Sequence, residues 1–367
     1  MNLLIPNLGS TSLKYQILAM PAEETLARGR FERVSDYGEA IAQIRAGDVS
    51  VDAVGFKTVL AGPRYRGTFV IDEGVMEAMR QYLPAAPVHN AIYLQAVEAF
   101  RAAMPGVPLV AAFETEFHRT IPDYARVYGV PREWRQEDGV ERNGFHGASH
   151  EFIAGRTAEF VGRPAAELKI ISCHLGGSSS ICAIQGGRSV DTSMGFSPQS
   201  GLENATRHGE LDAFAVLYMM DRHGWSTEEV RRQLSRESGL AGLSGIPGGD
   251  VRDIAAAAAA GSAAARLALD AFAYQVKKTI GAYAAILGGV EAVVFTGGIG
   301  ENSAELRTAC TAGLGLLGIE LDESRNRQGS GDREVSPDGS AVRVLTLATN
   351  EELVVARRVY RCLTSRQ

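Results

Sequence analysis

Residues 2–19 read as an apolar run, a glycine turn and a second apolar run (NLLIPN, LGSTS, LKYQILA), and residues 169–184 repeat that pattern (KIISCH, LGGSSS, ICAI). In each copy a Leu-Gly followed by small hydroxyl residues joins two short β-like runs, as a hairpin does. The copies stand nearly half of the 367 residues apart. That spacing implies an internally duplicated architecture, with one hairpin opening each half. The competing reading is a chance likeness between two short Gly/Ser turns.

Elsewhere the chain alternates between periods. Helical spacing predicts helices over 74–83, 93–104, 148–161, 212–221 and 227–235, and a buried strand over 107–113. An alanine-rich run from Ile254 predicts one long helix continuing to Leu287, after which EAVVFTGGIGEN closes a strand with a glycine turn. Arg266 and Asp270 interrupt that run, so it reads as a buried helix and is too weakly apolar to span a bilayer. Residues 325–339 are polar, hold several glycines and prolines, and predict a surface excursion. The alternation makes this a mixed α/β chain, and its length suggests two domains. No Pro- or Ser-rich linker separates them, so they are expected to be packed and hinged.

A net charge of −6 offers no general electrostatic footprint for nucleic acid, so an anionic ligand must be held by a local site. The first residues lack the basic start and long apolar run of a secretory signal, and the four cysteines form no C-x-x-C pair. A reducing cytoplasm is the expected setting.

Glycine loops at 9–12, 176–180 and 297–300 each end an apolar run and present backbone N–H groups, which suits a phosphate. Lys14 can add a point charge beyond the first. Each loop alone is an ordinary turn; together they are better explained by one polyphosphate ligand. Six of the seven histidines lie within 89–208. His146 and His150, in GFHGASH, have the i,i+4 spacing of a metal chelate, but the glutamate of H-E-x-x-H is missing and no third soft ligand is evident. Capping a helix or lining a cleft is the better reading. Arg207, in NATRHGELD, is placed to clamp an anion or to be an ordinary surface arginine. Glu114 and Glu116 follow a buried run, where an acid is costly unless it has a job. Asn350, Glu351 and Glu352 follow VRVLTLAT similarly, where a carboxylate can hold Mg²⁺ directly or through water.

The phrases NLGSTSLKY, PVHN, FETEFH, NGFHGASH, CHLGG, VDTSMGFSP, FTGGIGEN and TNEEL occur in the order seen in acetate kinases, which the chain resembles over nearly its whole length. The resemblance implies the duplicated actin-like ATPase fold (ASKHA, ribonuclease H-like), with two domains around a nucleotide cleft. The amino-terminal domain would span 1–145, with a carboxyl-terminal helix at 353–367 packing back on it, and the nucleotide-binding domain 146–352. It further implies reversible transfer from Mg-ATP (or Mn-ATP) to a short carboxylate such as acetate or propionate, giving an acyl phosphate and ADP. A cytoplasmic homodimer is implied, with neither nucleic acid nor membrane as partner. By the same resemblance Asn7 and Glu351 fall at the magnesium positions and Lys14 at an ATP contact. His174, Leu175, Gly176, Gly177 and Ser178 form the phosphate-binding hairpin, and Asp250, Val251 and Arg252 the nucleotide-contacting tripeptide. Gly298, Ile299, Gly300, Glu301 and Asn302 match the loop that meets the adenine nucleotide. Glu114 is the catalytic carboxylate, and His146 and Arg207 stabilise the transition state. Lys57 holds the substrate carboxylate, with His89 a further active-site histidine.

Several positions depart from the family pattern. Where acetate kinases have GHRVVHGG this chain reads GFKTVLAG, so Lys57 stands for an arginine, and Phe56 and Leu60 for histidines. A lysine cannot reproduce a bidentate fork, and Phe56 and Leu60 are expected to make the neighbourhood more apolar. Glu114 stands for a shorter aspartate, Gly177 for an asparagine and Glu210 for an aspartate; the segment before Val51 is short. The expectation is a working phosphotransferase whose acceptor is acetate, propionate or a related small acid, with a different acceptor on the same fold as an alternative. The alternatives are a nucleotide-binding regulator of the same fold, and an ATPase whose acceptor is water.

Overall fold

Two six-stranded sheets organise the computed structural model, which describes residues 1–9, 12–34, 37–45 and 47–365, the side chains at 45, 88 and 89 excepted. The first sheet holds β1 (Asn2–Leu8), β2 (Ser12–Ala19), β3 (Glu24–Glu32), β4 (Ala53–Thr58), β5 (Thr68–Val70) and β6 (Leu109–Phe113), in the order β3-β2-β1-β4-β6-β5. The second holds β7 (Lys169–His174), β8 (Ser180–Gln185), β9 (Arg188–Thr192), β10 (Ala292–Thr296), β11 (Arg333–Glu334) and β12 (Arg343–Thr346), in the order β9-β8-β7-β10-β12-β11. These are one topology used twice. An antiparallel meander leads to three parallel neighbours, and an antiparallel strand closes the far edge. Even the register irregularity recurs, between Ile17 and Leu18 in one meander and Ala183 and Ile184 in the other. Chance likeness of two turns does not produce this, and the α/β duplication expected from the hairpins is present.

Both faces of each sheet are covered, which is why central strands such as β6 and β10 are apolar throughout instead of alternating. On the first sheet, Leu4, Phe56 and Phe113 pack against the helices Tyr37–Arg45, Glu73–Gln81 and Pro87–Ala103. Its other face, through Leu3, Ile5, Val110 and Ala112, is covered by Val355, Ala356 and Val359 of the chain's last helix, Glu351–Thr364. The second sheet packs one face on Val251–Ala259 and Ala263–Leu287, and the other on Ile153 and Ala154 of Gly147–Val161. The two inner helices, Gly147–Val161 and Glu351–Thr364, pack on one another. Arg358, with its side chain 1% exposed, joins them by pairing with Glu151 and donates to the Phe113 carbonyl oxygen at 3.2 Å.

Two sequence expectations need correction. The alanine-rich run is two helices, because Gly261 takes φ +97° and the Ser262 hydroxyl caps the second helix by accepting from the Ala265 N–H. Residues 325–339 are more than an excursion: Asn326 and Val335 are buried, and β11 closes a sheet edge. Among the described residues no helix is long and apolar enough to cross a membrane.

Candidate active site

A cavity of about 660 Å³ opens where β7 and β10 end, lined by Gly176, Gly177, Asp250, Val251, Arg252, Gly298, Ile299 and Asn302 with Ala205, Gly248, Gly249, Ala255, Ser303 and Glu305. Glycine makes this floor possible. Gly297 has φ +79°, and a Cβ there would lie 2.7 Å from the Leu175 carbonyl oxygen. The close approach lets Leu175 receive the Ile299 and Gly300 N–H groups at 2.9 and 3.1 Å, welding the two phosphate-suited loops together. Asp250 caps its helix by accepting from the Arg252 N–H and guanidinium, and that guanidinium holds its carboxyl down to about 2.

A second cavity of about 230 Å³ lies at the carboxyl ends of β1, β4 and β6. It gathers Asn7, Lys57, Glu114, His146, Ser178 and Arg207, six residues drawn from every part of the first two-thirds of the chain. Lys57 is ion-paired with Glu351, and its Nζ lies 3.8 Å from Glu114 Oε1. Burial works against this ammonium, but Glu351 and then Glu114 outweigh it and hold it protonated above the ordinary lysine range. Burial likewise opposes the Glu351 charge, and Lys57 prevails, keeping that carboxyl below its usual range. At Glu114 burial wins: the carboxyl is pushed up to about 7 against the pull of Lys57. The Gly147 N–H faces Glu114 without reaching hydrogen-bond geometry on either oxygen, and apart from the Lys57 ion pair at Oε1 neither oxygen has a hydrogen-bond partner among the described residues. Asn7 Nδ2 donates to Glu352 Oε1 at 3.0 Å, leaving the Asn7 Oδ1 as an oxygen donor beside these carboxylates.

Four histidines, His118, His146, His150 and His174, form one cluster. His146 sits in the left-handed region at φ +55°, directly before Gly147–Val161, and its ring stacks on His174 at 4.3 Å. A non-glycine residue in that conformation is uncommon and typical of functional positions. His118 donates from Nε2 to the Phe145 carbonyl oxygen at 2.9 Å, fixing the residue before His146. Burial, reinforced by neighbouring histidines, depresses His146 and His150 well below the usual range, so both rings are neutral. The His146–His150 metal chelate is not built, since both His150 nitrogens are committed to serine hydroxyls. Arg207 donates to the Pro198 carbonyl oxygen at 2.8 Å and pairs with no carboxylate among the described residues. Burial draws its pKa down to about 10, so the cation is intact and lacks a counter-ion. Its loop is pinned to the β7–β8 turn: Ser179 N–H donates to Asn204 Oδ1 at 2.6 Å and Ala205 N–H to the Gly177 carbonyl oxygen at 3.0 Å.

Other residues named from the sequence stand apart from the cavities. Lys14, paired in register with Asn7, lines a neighbouring groove with Arg28, Arg30 and Glu352. Leu175 is buried, the Gly300 carbonyl accepts from Arg307, and Glu301 accepts the Gly297 N–H of its own helix at 2.9 Å. His174 supports His146 from below, its Nδ1 bonded to Ser149 at 2.8 Å. The His89 side chain lies outside the described residues. Glu116 accepts from Thr68 and pairs with Arg358, so Glu114 is the carboxylate of the two that lines the cavity. Phe56 and Leu60 are core residues, against expectation. Phe56 packs edge-on to Phe100, because adjacent residues of β4 point to opposite faces and Lys57 takes the cleft side. The cavity's apolar wall is Leu8, Val59, Ile92, Phe145 and Pro198, together with the missed Tyr93.

The chain matches the acetokinase family over residues 38–357. It is 40% identical to the acetate kinase of Caldanaerobacter subterraneus subsp. tengcongensis, over 97% of this chain and 98% of that one. It is equally similar, at 40%, to the acetate kinase of Methanosarcina acetivorans, over 97% and 96%. The solved acetate kinase of Porphyromonas gingivalis superposes with a TM-score of 0.87 at 31% identity over 99% of each chain. A propionate kinase from Francisella tularensis subsp. tularensis gives 0.88 at 28% identity, over 97% of this chain and 98% of that one.

Proposed function

The chain belongs to the acetokinase family, and from that premise we propose that it transfers a phosphoryl group reversibly from ATP to a short-chain carboxylate, giving an acyl phosphate and ADP. One observation carries the reading at this site: a single turn serves both cavities, Gly176 and Gly177 lining the larger and Ser178 the smaller. A terminal phosphate held at that turn stands within reach of an acceptor on its other side. The acceptor's anionic oxygen attacks in line as the bond to ADP breaks, and charge spreads over the equatorial oxygens of a loose transition state. Such a state calls for positioned donors more than for a strong base. Arg207, lacking a counter-ion, and neutral His146 are those donors. Lys57 attracts the acceptor carboxylate, the apolar wall takes its short alkyl tail, and Glu114 completes the set as the catalytic carboxylate.

Among the described residues no group of three or more His, Cys, Asp or Glu converges on one point. A nucleotide-borne Mg²⁺ needs only one or two protein carboxylates, and Asn7 with Glu351 supplies oxygen donors of that kind. Bound there, Mg²⁺ would neutralise phosphate charge. The Lys57 ammonium sits on Glu351 meanwhile. A cytoplasmic homodimer is part of the same proposal. It is supported by Cys173, Cys182 and Cys310, buried thiols that form no disulfide, and by the helix Ala213–His223, which buries none of its residues and leaves Phe214, Leu217 and Tyr218 77%, 51% and 58% exposed.

The test is continuous ADP production across short, hydroxylated and amino-substituted carboxylates with a no-acid control, with hydroxylamine trapping of the acyl phosphate. Acid-dependent turnover with a trapped hydroxamate is expected. Equal phosphate release without acid would favour water as acceptor and overturn the reading.

A further inference from the structure

Three side chains form a single file behind His146. Ser172 Oγ lies 2.9 Å from His150 Nδ1, and His150 Nε2 lies 2.8 Å from Ser180 Oγ. Ser180 Oγ in turn lies 2.8 Å from His146 Nδ1. Ser172, His150 and Ser180 are fully buried, so every polar hydrogen in the file needs an acceptor inside it.

That requirement has one solution. The Ser172 hydroxyl has no other partner among the described residues, so it donates to His150 Nδ1. Neutral His150 then carries its proton on Nε2 and donates to Ser180 Oγ. The Ser180 hydroxyl, already accepting from His150, has only His146 Nδ1 left to receive its hydrogen. His146 therefore carries its own proton on Nε2, which has no hydrogen-bond partner among the described residues and belongs to a ring lining the acceptor cavity.

We infer that Ser172, His150 and Ser180 are positioning residues that lock His146 into the Nε2–H tautomer, so that it presents a hydrogen-bond donor, and never a lone pair, to the transferring phosphoryl group. The inference rests on the assignment of His146 to that transfer. Its consequence is that Ser172, a strand serine on the far side of His150, bears on the reaction without touching either substrate. A ring in the opposite tautomer would aim a lone pair at an anionic oxygen, replacing attraction by repulsion. The strong depression of both histidines by burial agrees with rings that work uncharged.

The test is the nitrogen spectrum of the full-length protein labelled with ¹⁵N-histidine, recorded at pH 7 with and without ADP. His146 and His150 are expected as Nε2–H tautomers, assigned through His146→Gln and His150→Gln. An Nδ1–H tautomer or an imidazolium at His146 overturns the proposal outright, whatever the kinetics. Ser172→Ala should release the lock, giving mixed tautomers at both rings and a kcat lowered at least about tenfold with nucleotide KM unchanged. Ser172→Thr, which keeps the hydroxyl, should restore both. A Ser172→Ala protein with a pure Nε2–H signal and full kcat also overturns it. Full turnover by His146→Ala would instead refute the role of His146 in transfer, a failure told apart from the first because the tautomer is read independently of activity.

Discussion

Replacing Glu114 by glutamine removes a buried charge at nearly constant shape, and the effect on stability has a sign set by pH. Glu114 is 5% exposed, and burial raises its pKa from an ordinary 4.5 to about 7. A carboxyl raised in this way binds its proton more tightly in the folded protein than in the unfolded one. Its contribution is fully present below the unfolded value and is lost as pH rises through the folded one. At about 1.36 kcal/mol per unit the whole effect is on the order of 3 kcal/mol, most of which develops between pH 5 and pH 8. The amide of the Glu114→Gln variant does not titrate. The stability of the variant relative to its parent should therefore grow by roughly 2–3 kcal/mol over that interval, the other titrating groups cancelling. Urea unfolding at pH 5, 6, 7 and 8, followed by the fluorescence of Trp134 and Trp225, measures the difference. Turnover should fall as stability rises, as expected where a strained site is relieved. A difference that stays constant to within about 0.5 kcal/mol would refute the desolvation argument.

Arg207→Ala removes a cation that has no carboxylate partner, so folding should be little affected while kcat falls about 100- to 1,000-fold; ADP binding by calorimetry should be retained, and unchanged turnover would take Arg207 out of the reaction. Lys57→Met strips the ammonium from between Glu351 and Glu114, and acceptor KM should rise about 10- to 100-fold, the worth of one charge-assisted contact. An unaltered acceptor KM would mean that the acid is held elsewhere. Gly297→Ala forces a Cβ to 2.7 Å from the Leu175 carbonyl oxygen at φ +79°, and should cost about 1–3 kcal/mol by urea unfolding, with weakened nucleotide affinity.

What the sequence revealed and what it concealed divide along the range of the interactions involved. The duplicated hairpins are local, each specified by a short run of alternating and turn-forming residues, and they led correctly to a twice-used sheet. The break at Gly261 was also local, but a run of alanines outweighs one glycine when propensities are summed, and the capping role of Ser262 was overlooked. Strand β11 was not legible at all: two residues acquire strand geometry only because β12 lies beside them. The cavity mixes both cases. Lys57, Glu114, His146 and Arg207 stood out as polar groups in phrases resembling known ones. Tyr93 looked like the start of an amphipathic helix, which in fact begins at Pro87, and nothing local sets it beside Lys57. Phe56 could have been excluded by the two-residue period of a strand, which forbids it the face that Lys57 occupies.

The last helix covers a sheet woven from residues 2–113, although the whole second sheet lies between them in the chain. During synthesis the strands bearing Leu3, Ile5, Val110 and Ala112 leave the ribosome long before Val355, Ala356 and Val359 do. The amino-terminal half therefore waits with an open apolar face until residues 351–364 have been made, in the kind of exposed intermediate that chaperones bind. A stop codon just ahead of Glu351 would yield no shortened kinase. It would leave the first domain missing one wall and the second domain's inner helix without its neighbour, so the final turns of this chain act as the closing stitch for its opening strands.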